Sequence, residues 1–133
     1  MRVWCEGNTG DHLKDSSLLS GYTEKSRFPL VTGQEYVVFG MALWRDILLL
    51  LVSDSNDLPS WIPIELFRFT DSSLPDGWQF ERFSSDQDLQ ALWGYPRLIS
   101  DGEHYDGLLE RDPVALTGFA GEKRRVEGLL STQ

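Results

Sequence analysis

The densest group of side chains able to do chemistry is the run Asp101-Gly102-Glu103-His104-Tyr105-Asp106. Glu103, His104 and Asp106 offer the mixed nitrogen and oxygen donors of a divalent-metal site. Sequence neighbours seldom converge on one ion, however, no second histidine lies nearby, and the alternating aspartates of a calcium loop are missing. A helix start with acids near its positive end explains the run more simply. A metal-dependent enzyme built on this cluster stays as an alternative. His12 and His104 are the only histidines, and a nucleophilic triad would need one of them beside an activated Ser or Cys. His104 is expected to be exposed in a charged loop, and Cys5 to be a small buried residue of a strand. The glycines are scattered as turn residues and form no phosphate-binding string. No catalytic residue is assigned and no cofactor is expected.

The five tryptophans carry more information. Most are expected in the core, as the largest apolar side chains of a small chain. Trp44 sits beside Arg45 at an expected hairpin turn, and Trp61 follows the acidic loop 54–60, so either could anchor a protein partner. The candidate partner-binding residues read from position alone are therefore Trp44, with Arg45 beside it, and Trp61.

Positioning these residues falls mainly to the stretch 34–83. Arg2-Val3-Trp4-Cys5 reads as a short strand ended by Gly7-Asn8-Thr9-Gly10. Residues 11–28 read as a long polar surface segment with at most one helical turn. Tyr36–Leu43 and Ile47–Val52 are apolar on both alternate faces, the mark of central strands covered on both sides. They are expected to form a hairpin around Trp44-Arg45-Asp46. The run 61–69 follows, with Pro63 placing its start at an edge, and then 78–83, with one side in solvent. Beyond Phe83 the spacing of Leu89, Leu92 and Trp93, after a capping pair of Ser85 and Asp88, predicts a helix stopped by Gly94-Tyr95-Pro96. Two further helices are expected, over 103–111 and after Asp112-Pro113. The fold class is thus α+β: a small, mostly antiparallel sheet, curled like an SH3-type barrel, with C-terminal helices on one face. We expect one domain over 1–133, strand-rich over 1–83, helical over 84–128, with a short flexible tail at 129–133.

A chain of 133 residues, 41% apolar and 12% aromatic, can bury a core without staples. Its 21 acidic and 12 basic residues give a formal net charge of −9. A field of that sign repels phosphate backbones and anionic membranes and attracts cationic partners. Nucleic acid and membrane are not expected ligands. With one cysteine no intrachain disulfide can form. The first residues lack the apolar segment of a secretory signal, and the run 41–52 is shorter than the roughly 20 residues of a span and carries Arg45 and Asp46. The expected location is the cytoplasm.

The succession Val3-Trp4-Cys5-Glu6-Gly7-Asn8-Thr9-Gly10, Gly21-Tyr22-Thr23, Arg27-Phe28-Pro29-Leu30 and Gly33-Gln34-Glu35-Tyr36-Val37-Val38-Phe39-Gly40, followed by Pro59-Ser60-Trp61-Ile62-Pro63, Leu66-Phe67 and Trp78-Gln79-Phe80, resembles small, mostly uncharacterised bacterial single-domain proteins. Some of these are similar to immunity proteins of contact-dependent and other polymorphic toxin systems. The resemblance covers residues 1 to 83. It implies a non-enzymatic, cytoplasmic inhibitor that binds and occludes a cognate toxin, with a contact face on the acidic loops carrying Asp54, Asp57, Asp71 and Asp76 and with Trp44 or Trp61 as its apolar anchor. The acidic balance fits a basic toxin domain, because charge complementarity steers encounter. An oligomeric module, self-associating through exposed aromatics, is the remaining alternative.

Overall fold

A computed structural model describes residues 1–14, 21–84 and 86–131, the side chains of 130 and 131 excepted. The fold is α+β. Its strands are β1 (Arg2–Cys5), β2 (Glu35–Val37), β3 (Gly40–Trp44), β4 (Ile47–Ser53), β5 (Pro59–Pro63), β6 (Phe67–Asp71), β7 (Gln79–Arg82) and β8 (Leu89–Gly94). The helices α1 (Pro96–Ser100), α2 (Gly102–Glu110) and α3 (Pro113–Ser131) follow. The strands make two antiparallel sheets, ordered β2-β1-β6 and β5-β4-β3-β8-β7.

One strand explains why there are two sheets. Along β4, Leu50 and Val52 enter a core shared with Val3, Cys5, Tyr36 and Phe67 of the smaller sheet. Ile47, Leu49 and Leu51 enter a second core with Leu98, Leu108, Ala115 and Phe119 of the helices. Side chains alternate across a strand, so an all-apolar strand must have a partner layer on each face. The expectation of doubly covered central strands holds for β4. The expected helical layer also lies where anticipated, on one face of the larger sheet.

The expected single sheet, built from five runs, is corrected to eight strands in two sheets among the described residues. The run Tyr36–Leu43 breaks in two because the chain changes sheets within it. The Val38 amide donates to Met1 O at 3.0 Å, whereas the Phe39 amide donates to Leu51 O at 2.8 Å. Val38 and Phe39 accordingly fall in different cores. The run 61–69 divides in the same way, at a 3-10 turn over Ile64–Leu66. Its first half, β5, is an edge strand, as Pro63 requires.

The helix expected over 85–94 is corrected to a strand, β8, paired with both β3 and β7. Its strand has apolar side chains on both faces, which hides the period of two and lets Leu89, Leu92 and Trp93 mimic a helical stripe. Ser85, the expected cap, lies outside the described residues. The boundaries of the helical part move with it: helices begin at Pro96, and α3 runs through 129–131 to Ser131, where a flexible tail was expected. Asp112 caps α3 as anticipated, its Oδ2 accepting from the amides of Val114 and Ala115.

The β3–β4 hairpin turns on Arg45 and Asp46, both at positive φ (48° and 64°). Two-residue hairpins need that hand of twist. The neighbouring β7–β8 hairpin holds the turn: Asp88 O accepts from the Arg45 amide at 2.9 Å, and Gln90 Oε1 from the Asp46 amide at 2.7 Å. Gly40 and Gly94 face each other across β3 and β8. A Cβ at either would come within 2.7 or 2.6 Å of Leu98 Cδ2, so this glycine pair is the seat on which α1 rests. No helix of the described residues is long and apolar enough to cross a membrane.

Candidate functional site

The helix-facing side of β3, β4 and β5 is not wholly covered by the helices. Between it and α2 lies an open cavity of about 520 Å³. Ala42, Leu49 and Leu51 floor it, Trp44 and Trp61 stand over the floor, and Tyr105, Leu108 and Leu109 form the helical wall. The spacing of these last three places them on one face of a helix. Tyr22, Phe28 and Pro29 join the lining from the segment before β2, and Pro59, Ser60, Ile62 and Arg111 complete it. The rings are in contact: Trp61 and Tyr105 centroids lie 6.1 Å apart, Tyr22 and Phe28 5.5 Å. The volume and the apolar lining are those of a small-ligand site.

Its polar groups are few. Burial pushes the hydroxyls of Tyr22 and Tyr105 up in pKa, with Glu65 and Asp106 adding to it respectively, so both remain protonated donors. The Trp61 indole N–H is buried and has no hydrogen-bond partner among the described residues. Arg111 is the one charged side chain among the described lining residues. Its Nη2 reaches Ser60 Oγ at 3.5 Å, and Ser60 Oγ in turn donates to Asp54 Oδ2. Arg111 also occupies the left-handed position after α2, with φ 59° and ψ 34°, a place where glycine or asparagine is usual.

The structure brings Trp44, with Arg45 beside it, and Trp61 together, and leaves the four expected aspartates outside the cavity lining. Arg45 lies over the Trp44 ring, 4.6 Å from its centroid, and pairs with Asp88 at 3.2 Å. Asp54 and Asp57 are at the other end of β4, seven residues or about 23 Å along the strand. Asp54 is corrected from a surface acid to a structural one. It is 7% exposed, and its carboxylate accepts from the amides of Asn56 and Leu58 and from Ser60. Asp57 accepts from Lys123 and Ser53, the Lys123 contact chiefly lowering its pKa. Asp71 is held by the Ser73 amide at 3.0 Å, which lowers its pKa, and stands 3.9 Å from the N-terminal amine. Asp76 is exposed, ahead of β7.

The alternative metal cluster is taken apart by α2. Glu103 and Asp106 are exposed on its outer side, while His104 is 2% exposed and turned into the core. No three His, Cys, Asp or Glu residues among those described gather closely enough to hold a metal ion. His104 is therefore corrected from an exposed loop residue to a core one, hydrogen-bonded to Tyr95. Cys5 is fully buried as expected, its Sγ donating to Gly7 O.

A second feature lies at the far edge of the larger sheet. All four residues of β7 are exposed, and Phe80, 54% exposed, stacks on Trp93 with centroids 4.9 Å apart. Exposed acids flank it: Asp76 before the strand, Glu81 within it and Asp86 after it.

Sequence reasoning missed Tyr22, Phe28 and Arg111 as site residues. The first two come from a segment without periodicity. Arg111 was expected as the last residue of the helix over 103–111; α2 instead ends at Glu110 and Arg111 reverses the chain before the Asp112 cap. Comparison with protein-family models, with characterised proteins and with solved structures finds no match to this chain.

Proposed function

We propose that this chain is a non-enzymatic binding protein that takes an apolar group into the cavity between β5 and α2. The observation carrying this reading is the gathering of Trp44, Trp61 and Tyr105 around about 520 Å³ of open space. Such rings supply large contact area with few rotamers to freeze. The chemistry of the lining supports recognition over catalysis. Its hydroxyls belong to two tyrosines held protonated and to Ser60, which has no histidine beside it among the described lining residues to act as its base. A titration with the neutral fluorescent amine N-phenyl-1-naphthylamine tests this. We expect saturable one-to-one binding, weakened ~10-fold or more by Ala42→Phe, which fills the floor. No saturable binding by the wild type, or equal binding by a folded variant, would overturn it.

A second reading keeps the toxin-inhibitor role of the immunity proteins that the sequence resembles, acting in the cytoplasm on a basic partner domain. The exposed β7 edge with Phe80 and its acids supports it. A sheet edge offers unpaired backbone groups for strand addition, and an aromatic anchor in an acidic surround suits a basic partner. The test is capture from a lysate of the native cell at low and high salt. One basic protein released by salt supports it; a second copy of this chain alone favours self-association through the same edge.

A further inference from the structure

We propose that the cavity selects organic carboxylates: a carboxylate paired with Arg111, joined to an apolar body lying among Trp44, Trp61 and Tyr105. This rests on the binding-cavity reading above and names its ligand class.

Three observations converge on it. Arg111 is the only charged residue among the described lining residues; it is exposed at the cavity mouth, forms no ion pair with any described acid in a chain of 21 acids and 12 bases, and approaches Ser60 Oγ at 3.5 Å. The chain also places it at φ 59°, where an L side chain is unfavourable and glycine would be the easier residue. A residue kept at such a position is a pointer to function.

The third observation is the polarity of the lining. Arg111 has only donors, and it is the only charged group the described lining offers. The proton of Ser60 is already directed to Asp54, so Ser60 cannot serve as the donor for an anion in its place. A lone guanidinium in an otherwise uncharged lining calls for an acceptor group of single negative charge, and its fork matches one carboxylate. A phosphate dianion would bring a second charge that nothing else in the described lining neutralises, against a net charge of −9. The apolar walls require the remainder of the ligand to be aliphatic or aromatic.

The test compares decanoate with decan-1-ol by isothermal titration of the full chain, its Arg111→Gln variant and its Arg111→Gly variant. We expect the wild type to bind decanoate ~10-fold or more tightly than the alcohol, and Arg111→Gln to remove that preference while leaving decan-1-ol within ~2-fold. Arg111→Gly relieves the backbone and should unfold at a higher temperature than the wild type, yet lose the same preference. That outcome separates a role in binding from a role in folding. Decan-1-ol binding as tightly as decanoate overturns the carboxylate assignment and leaves the cavity intact. Failure of both ligands overturns both. An equal loss of both in Arg111→Gln also overturns the assignment, because Arg111 would then be only part of the wall.

Discussion

The Tyr95 hydroxyl lies 2.6 Å from Nε2 of His104, inside the core that joins the larger sheet to the helices. Both residues are nearly inaccessible, and His104 Nδ1 has no partner among the described residues. Space for this pair comes from α3: a Cβ at Gly118 would stand 3.2 Å from His104 Cε1 and 2.8 Å from Arg97 Nη1. Desolvation lowers the His104 pKa, Arg97 lowers it further, and Asp101 opposes them. The Tyr95 hydroxyl is pushed far up by burial and then by Glu122, with Arg97 opposing, so it stays protonated. The pair is neutral at physiological pH.

Acid should therefore weaken the fold through His104. Its folded pKa lies below the unfolded value of about 6.5, so the unfolded chain takes up the proton first. The contribution is fully present above about pH 6.5 and falls as the pH drops from there towards the folded value. Urea midpoints measured between pH 8 and pH 5 should decline more steeply for the wild type than for His104→Gln. Parallel curves would refute the assignment.

Asp54 should behave as a structural residue. Its carboxylate accepts from the amides of Asn56 and Leu58 and from Ser60, and truncation would leave those donors without their acceptor. Asp54→Ala is expected to cost about 1–3 kcal/mol. Asp76→Ala, at an exposed position, should stay within about 0.5 kcal/mol. Chemical denaturation of the two variants decides it, and similar stabilities would return Asp54 to the surface.

That contrast shows how far the sequence could be read. The α+β class, the turn at Arg45 and Asp46, the edge placement of Pro63 and the Asp112 cap follow from local rules, and these rules held. The breaks at Val38 and at Ile64–Leu66 were hidden because the residues on either side of each break are apolar in both sheets. Strand β8 looked helical because Ala91, Leu92 and Trp93 make both of its faces apolar, leaving Gln90 as its single polar residue, too few to mark the alternation. The acids of residues 54–76 looked alike in sequence. Only the returning loop makes Asp54 an internal acceptor while Asp76 stays outside. The cavity is lined by residues as distant in sequence as Tyr22 and Arg111, a gathering that no local pattern records.

Two glycines of α3 should respond oppositely to the same substitution. A Cβ at Gly121 meets only Arg124 Nη2, at 3.9 Å, so Gly121→Ala should stabilise the chain by about 0.5–1 kcal/mol through helix propensity. At Gly118 the Cβ presses on Arg97 and on the His104 ring. His104 is held by Tyr95 and cannot yield freely, so Gly118→Ala should give less than Gly121→Ala or reverse its sign. Thermal unfolding of both variants checks the order. If Gly118→Ala is the more stabilising, the close packing of α3 on His104 is wrong.

If β7 is the docking edge of the inhibitor reading, its surface residues should govern capture more than stability. Phe80 is 54% exposed and stacks on Trp93, so Phe80→Lys should cost about 0.5–1.5 kcal/mol of folding. A cation at the centre of a strand-addition surface facing a basic partner should weaken capture by at least ~10-fold. Replacing Asp76 and Glu81 together by lysine should leave a weaker complex that also depends less on salt, because fewer opposite charges remain to be screened. Asp57→Lys, on the β4–β5 loop and paired with Lys123, serves as the comparison and should leave capture unchanged. The reverse pattern, with capture sensitive to Asp57 and indifferent to Phe80, would move the contact face to the β4–β5 loop and leave β7 as an ordinary solvent edge.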